Sequence, residues 1–160
     1  MAIIGLVGWM ACGWGPVLAE PPASSPQALD AYTSAANLQN NGAFDLAAEE
    51  WESFLKKYAS DPLAPKARHY LAVCRIQLKQ FDQAEKLLTQ VVKDPKFELL
   101  EDALLHLGYS RFLLGKAGDQ AKLRAAADTF RQQLKRFPKG KLADQALYFQ
   151  GEAWYELREL

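Results

Sequence analysis

One pattern constrains this chain more than any other. A helix-spaced apolar stripe stops, turns and starts again, and the whole unit then recurs after 36 or 37 residues. The clearest copy runs from Leu63 to Pro95. In its first half Ala67, Tyr70, Leu71, Cys74 and Leu78 fall at spacings of three and four, which gathers them on one face of a helix. The stripe breaks at Lys79-Gln80-Phe81, and Asp82 is placed to cap the next helix. The second half carries Ala84, Leu87, Leu88, Val91 and Val92 at the same helical spacing, and Asp94-Pro95 ends it. A hairpin this short cannot bury both of its apolar faces alone. It needs neighbours of its own kind.

The neighbours are present. Ala35, Leu38, Gly42, Phe44, Ala47 and Trp51 precede Ala72, Arg75, Lys79, Phe81, Ala84 and Leu88 by 37 residues each. Gly108, Arg111 and Gly115 follow Ala72, Arg75 and Lys79 by 36. Ala126 and Phe130 follow Ala84 and Leu88 by 42, so six extra residues fall between the helices of the third unit. The lengthened connection is read as Gly115-Lys116-Ala117-Gly118-Asp119, part of which extends the next helix from about Gln120. Gly151 and Trp154, 43 residues after Gly108 and Arg111, open a fourth unit. At each first-helix match, Ala35, Ala72, Gly108 and Gly151, the residue is small, which lets a second helix approach closely. An ordinary helical bundle would share the stripe, but not the recurring breaks.

These residues resemble the tetratricopeptide repeat, which pairs a Leu-Gly-x-x-Tyr element with an Ala-x-x-x-Phe element and often closes on Pro. Leu107-Gly108 is the first element. Ala47-x-x-x-Trp51, Ala84-x-x-x-Leu88 and Ala126-x-x-x-Phe130 are the second, and Pro95 and Pro138 close two units. The resemblance implies an all-α, right-handed superhelix of antiparallel helix hairpins. It thus implies a TPR-like α-solenoid of about three and a half repeats over 28–160, divided near 28–62, 63–95, 96–140 and an incomplete 141–160. Within it the first helices are expected near 28–40, 98–114 and 142–158. Asp45 is expected to cap the second helix, with Leu46, Ala47, Trp51, Phe54, Leu55 and Tyr58 turned inward.

Residues 1–19 are apolar and end in Val17-Leu18-Ala19, which reads as a secretory signal peptide cut after Ala19. The run is short and Gly-rich for a spanning helix, so no membrane span is expected once it is removed. The usual basic start is missing, since no Lys or Arg precedes Lys56. A retained anchor and a lipid anchor at Cys12 are the competing readings. Residues 20–27 form a Pro/Ser-rich linker. The formal net charge is zero, which implies no bulk attraction to nucleic acid. The charge is uneven: Glu20–Phe54 holds six acidic residues and no Lys or Arg, whereas the rest holds 19 basic against 13 acidic.

No chemistry-bearing constellation emerges, and neither cofactor nor metal site nor enzyme activity is expected. His69 and His106 lack a Cys, Asp or Glu three or four residues on, and read as surface or groove residues. Cys74 lies on an apolar face and reads as a small core residue. Glu49-Glu50 and Glu101-Asp102 read as solvated faces. Lys135, Arg136, Lys139 and Lys141 read either as a helix C-terminal charge complement or as a site for an anionic envelope polymer or an acidic partner segment.

In the resembled family, first helices line a concave groove. By phase, this implies Tyr32, Gln39 and Asn40 from unit one, Lys66, His69, Val73, Ile76 and Gln77 from unit two, Leu105, Tyr109, Phe112 and Leu113 from unit three, and Tyr148 and Tyr155 from unit four. Aromatics with amides between them suit a peptide or helix with apolar anchors. Trp154, Tyr155 and Leu157 would be partly bare. Either a longer array continues beyond them or the last helix docks on a partner. Ala47-x-x-x-Trp51-x-x-Phe54-Leu55-Lys56-Lys57-Tyr58 and the segments Phe130–Pro138 and Lys141–Tyr148 also resemble bacterial envelope repeat proteins of the TolA-binding and outer-membrane assembly lipoprotein types. That finer resemblance implies a non-catalytic scaffold for a protein or peptide partner in the periplasm or cell envelope. Its alternative is the N-terminal part of a longer protein organising envelope polymer or lipoprotein assembly.

Overall fold

In a computed structural model of the chain, residues 23–158 are described. The apolar run 1–19, Cys12 and part of the Pro/Ser stretch lie outside them. The described residues form seven α-helices: α1 (Pro26–Asn40), α2 (Phe44–Lys57), α3 (Ala64–Gln77), α4 (Phe81–Val91), α5 (Leu100–Lys116), α6 (Gln120–Arg136) and α7 (Ala143–Arg158). Each helix packs on the next in sequence, α5 also touches α3 and α7, and no strand occurs among the described residues. Among the described residues the fold is thus an all-α, TPR-like solenoid of three hairpins followed by a seventh helix.

Local chemistry sets the boundaries. Ser25 caps α1 by accepting the Ala28 amide at 3.2 Å, with Pro26 at the first position, so the helix begins inside the stretch expected to be linker. Asp119 caps α6 by accepting the amides of Ala121 and Lys122. The caps expected from Asp45 and Asp82 do not form. The helices start at Phe44 and Phe81, one residue before each Asp, so each carboxylate sits in the first turn, where it meets the helix dipole. The turns before these helices use positive φ at Gly42 (78°) and at Lys79 (59°). The third such turn is at Gly118 (114°), not at Gly115. The six extra residues therefore do not lengthen the connection. Three extend α5 and three extend α6, and the turn stays three residues long, Ala117 to Asp119, as at Leu78 to Gln80.

Burial follows the small-against-large pattern. Ala35 and Trp51 are fully buried in the first core cluster, Ala72 and Leu88 in the second. In the third, Gly108 lies so close to Phe130 that a methyl group there would sit 2.5 Å from the ring. Trp51, Phe54, Leu88, Leu104, Leu123 and Phe130 are the largest fully buried apolar side chains, each worth about 1.5–3 kcal/mol of transfer free energy. Leu46 is an exception to the expected pattern. It is half exposed, because α2 turns only the Ala47, Ala48, Trp51 and Phe54 face inward. α5 is apolar on several sides because it is covered by α4, α6 and α7.

The hairpins are also pinned by polar contacts. Arg75 on α3 reaches back to Glu52 on α2, and Arg111 on α5 reaches Glu85 on α4 at 2.9 Å. Lys122 on α6 joins Glu85 at 2.5 Å, and the Thr129 hydroxyl accepts from Arg111 at 2.8 Å. Burial raises the Glu85 carboxyl, but the bonds from Lys122 and Arg111 outweigh it and hold it below the usual range. Glu101 and Asp102 are not simply solvated. Glu101 accepts the Leu142 amide at 2.8 Å and Asp102 pairs with Lys141 at 3.3 Å, which fastens the loop before α7 to the start of α5. Arg136 donates to the Pro95 carbonyl at 2.5 Å.

Gly108→Ala should therefore destabilise the fold by about 1–3 kcal/mol, because the fully buried Phe130 ring, stacked on Phe149, must shift to admit the methyl group. Gly151→Ala, at the matching position of α7 where a methyl group meets nothing within 4 Å, should stabilise it by up to about 1 kcal/mol through helix propensity. Urea unfolding of the two variants against the parent checks the contrast.

Candidate functional site

Two depressions open along the first helices. The first, of about 150 Å³, lies between α1, α2 and α3 and is lined by Tyr32, Ala36, Gln39, Asn40, Trp51 and Tyr70. Its aromatics interlock: Tyr32 meets Trp51 edge-on at 4.8 Å, and Trp51 stacks on Tyr70 at 5.7 Å. Gln39 sits at its centre. The side-chain oxygen accepts from the Trp51 indole at 2.8 Å and from the Cys74 thiol at 3.3 Å. Both lone pairs of that oxygen are engaged, so the amide hydrogens are what Gln39 has to offer. Burial pushes the Cys74 thiol up to about 11, which keeps it protonated and able to donate. Burial, with Tyr70 and Glu98 nearby, likewise keeps the Tyr32 phenol protonated by raising its pKa.

The second depression, of about 250 Å³, is lined by Ile76 and Gln77 of α3, Leu105, His106 and Tyr109 of α5, and Gln145 and Phe149 of α7. Three successive first helices thus form one wall. The floor is apolar, with Tyr109 and Phe149 at 5.1 Å, and the rim carries two amides and an imidazole.

The two depressions hold Tyr32, Gln39 and Asn40 in one and Gln77, Leu105 and Tyr109 in the other. Lys66 stands apart, paired with Glu98 at 2.6 Å. Phe112 is 5% exposed and packs in the core against Phe149, because α7 covers that side of α5. Tyr148 and Tyr155 are exposed, but on a different face of α7 from Gln145 and Phe149. His69 is 3% exposed, enclosed by Tyr70, Phe97 and His106, and so is neither a surface nor a groove residue. Tyr70, Gln145 and Phe149 also line the depressions, although helical phase alone turns Tyr70 and Phe149 inward and does not single out Gln145. Phe149 neighbours Tyr148 in sequence, so the signal that could have found it is a one-residue shift of phase.

The imidazoles of His69 and His106 lie 5.5 Å apart, and neither Nδ1 finds a partner. Burial lowers the His69 pKa to about 4, helped by His106 and opposed by Asp102. Burial also lowers His106, again against Asp102. Among the described residues no group of three or more His, Cys, Asp or Glu could hold a metal, and no helix is long and apolar enough to cross a membrane.

No family model matches the chain. No curated protein matches it in sequence. Among solved structures it is similar to the second TPR domain of the human RPAP3 protein, determined in complex with the HSP70 peptide SGPTIEEVD. The TM-score is 0.61 at 22% identity, over 79% of this chain and 94% of that one. The likeness is one of fold, and it agrees with the hairpin architecture above.

The buried histidines predict a pH dependence. With its pKa held at about 4 against 6.5 unfolded, His69 binds fewer protons in the folded chain than in the unfolded one. Its contribution is complete above the unfolded value and is lost as pH falls toward the folded one, a loss on the order of 3 kcal/mol. Denaturant midpoints measured from pH 7 to pH 4.5 should fall in the parent. They should stay nearly flat in a His69→Leu/His106→Leu variant.

Proposed function

We propose that this chain is a non-catalytic scaffold that binds an extended or helical protein segment in the groove formed by its first helices. The observation that carries this reading is the depression shared by α3, α5 and α7, whose apolar floor of Leu105, Tyr109 and Phe149 is edged by Gln77, Gln145 and His106. Apolar anchors would fill the floor, and main-chain groups of the segment would meet the amides. The first depression extends the same surface toward α1. There the fixed Gln39 oxygen leaves N–H donors for a carbonyl or carboxylate of the partner. The structural neighbour was determined with a peptide, which supports a peptide or protein partner.

The reading also places the protein outside the cytoplasm, in the periplasm or at the cell envelope. Its support is the apolar run 1–19 ending in Val17-Leu18-Ala19, followed by a Pro/Ser-rich stretch. Likeness of the Ala47–Tyr58 and Phe130–Pro138 segments to envelope repeat proteins of the TolA-binding and assembly-lipoprotein types supports it further. Within that reading, an envelope component is the partner, and the exposed Lys135 and Lys139 are free to meet an acidic segment of it.

Selection of displayed peptides against the whole chain tests the groove. Selected peptides should bind Tyr109→Ala and Gln77→Ala variants at least about tenfold more weakly, since a buried aromatic anchor and its rim carry most of such affinity. Equal binding to parent and both variants would overturn the assignment.

A further inference from the structure

Among the described residues six large apolar side chains stand exposed, and four of them, Leu147, Tyr148, Trp154 and Tyr155, are on α7. They lie on one face. At about 100° per residue, these four together with Asp144, Gly151 and Arg158 all fall within about 60° of the direction of Gly151. The opposite face of α7, with Ala146, Phe149, Ala153 and Leu157, is the one packed on the preceding hairpin. Gly151 occupies the place that Gly108 holds in the third unit. Gly108 is covered by the Phe130 ring of its partner helix, whereas a methyl group at Gly151 would meet nothing within 4 Å.

The order of residues on this face is self-complementary about Gly151. Counting outward from Gly151, Tyr148 and Trp154 lie three residues away, Leu147 and Tyr155 four, and Asp144 and Arg158 seven. Two such helices laid antiparallel, with their glycines crossing, bring an aromatic to the level of an aromatic and Leu147 to the level of Tyr155. They also bring Asp144 of each to the level of Arg158 of the other. Neither Asp144 nor Arg158 makes an ion pair among the described residues, and each lies nearly on the centre line of the face.

We infer that α7 is a self-association surface, and that its occupant is α7 of a second copy of this chain in an isologous, antiparallel pair. Glycine at the crossing lets the helices approach, the four apolar side chains close over it, and the reciprocal Asp144–Arg158 pairs set direction and register. This surface is separate from the groove of Gln77, Leu105 and Tyr109, and the inference does not depend on what the groove binds.

Sedimentation velocity on the full chain, over a concentration series, tests it. The parent should show a monomer–dimer equilibrium. Gly151→Arg should weaken the dimer at least about tenfold while leaving the helical circular dichroism unchanged, because the site is open in the monomer. Asp144→Arg alone should weaken it as well, and Asp144→Arg/Arg158→Asp should restore association to within about threefold of the parent, since the two charges meet only across the pair. A parent that stays monomeric at about 100 µM, or that grows beyond a dimer as a head-to-tail contact would, overturns the inference. So does a dimer indifferent to Gly151→Arg, or a charge exchange that fails to restore it.

Discussion

The structure rests on one steric arrangement: a small residue on each first helix beneath a large one on the second. Ala35 lies in a core with Trp51, Ala72 with Leu88, and Gly108 directly under Phe130. A helix pair can come close only where a crossing point is empty of side chain, and the partner's bulky residue then fills the space without a void. This pairing explains how each hairpin can close although the large residue differs from one to the next. It also explains why the third unit tolerates longer helices. The contact point stays fixed, and three residues are added beyond it on each helix, so the turn moves out while the packing does not.

Between hairpins the link is ionic as well as apolar. Arg75 reaches Glu52, and Arg111 reaches Glu85, each from a first helix to the second helix before it. The Arg111–Glu85 pair is largely shielded and shares Glu85 with Lys122, so it ties three helices through one carboxylate. In sequence the equivalent of these arginines is Leu38 in the first unit and Trp154 in the fourth. α1 has no preceding second helix among the described residues to reach. For α7, Ala127 stands where Glu85 would be, offset by the same 42 residues that relate Ala126 to Ala84.

Much of this is legible in the chain because the signal is periodic. The breaks at Asn41-Gly42 and Lys79-Gln80, the small residues at the crossings and the Ala-x-x-x-large pairs each repeat, and repetition separates them from chance. What the sequence hides is anything that depends on a one-residue phase or on a distant partner. Asp45 and Asp82 look like caps because nothing local shows that a preceding Phe can start a helix after a residue or two of unusual φ. His69 looks exposed because polar residues on a helix usually are. Only the packing of α3 against α5 encloses it, and that packing leaves the Nδ1 atoms of His69 and His106 unsatisfied. Phase alone puts Phe112 in the groove, but α7 crosses over it. Glu101 looks solvated until the loop before α7 comes back to it from 41 residues away.

The buried polar groups show how the groove acquires its character. Gln39 is held by a tryptophan from the second helix of its own hairpin and a cysteine from the first helix of the next, so its orientation depends on both hairpins being docked. A side chain fixed in this way loses little further freedom when a partner arrives, which is the condition for a weak polar contact to add affinity. Tyr109 and Phe149 are related similarly, since one comes from α5 and the other from α7, and their mutual contact forms the floor. In both depressions the lining is therefore a product of stacking, not of any single helix. A change that loosened the docking of adjacent hairpins would degrade the groove before it unfolded the chain.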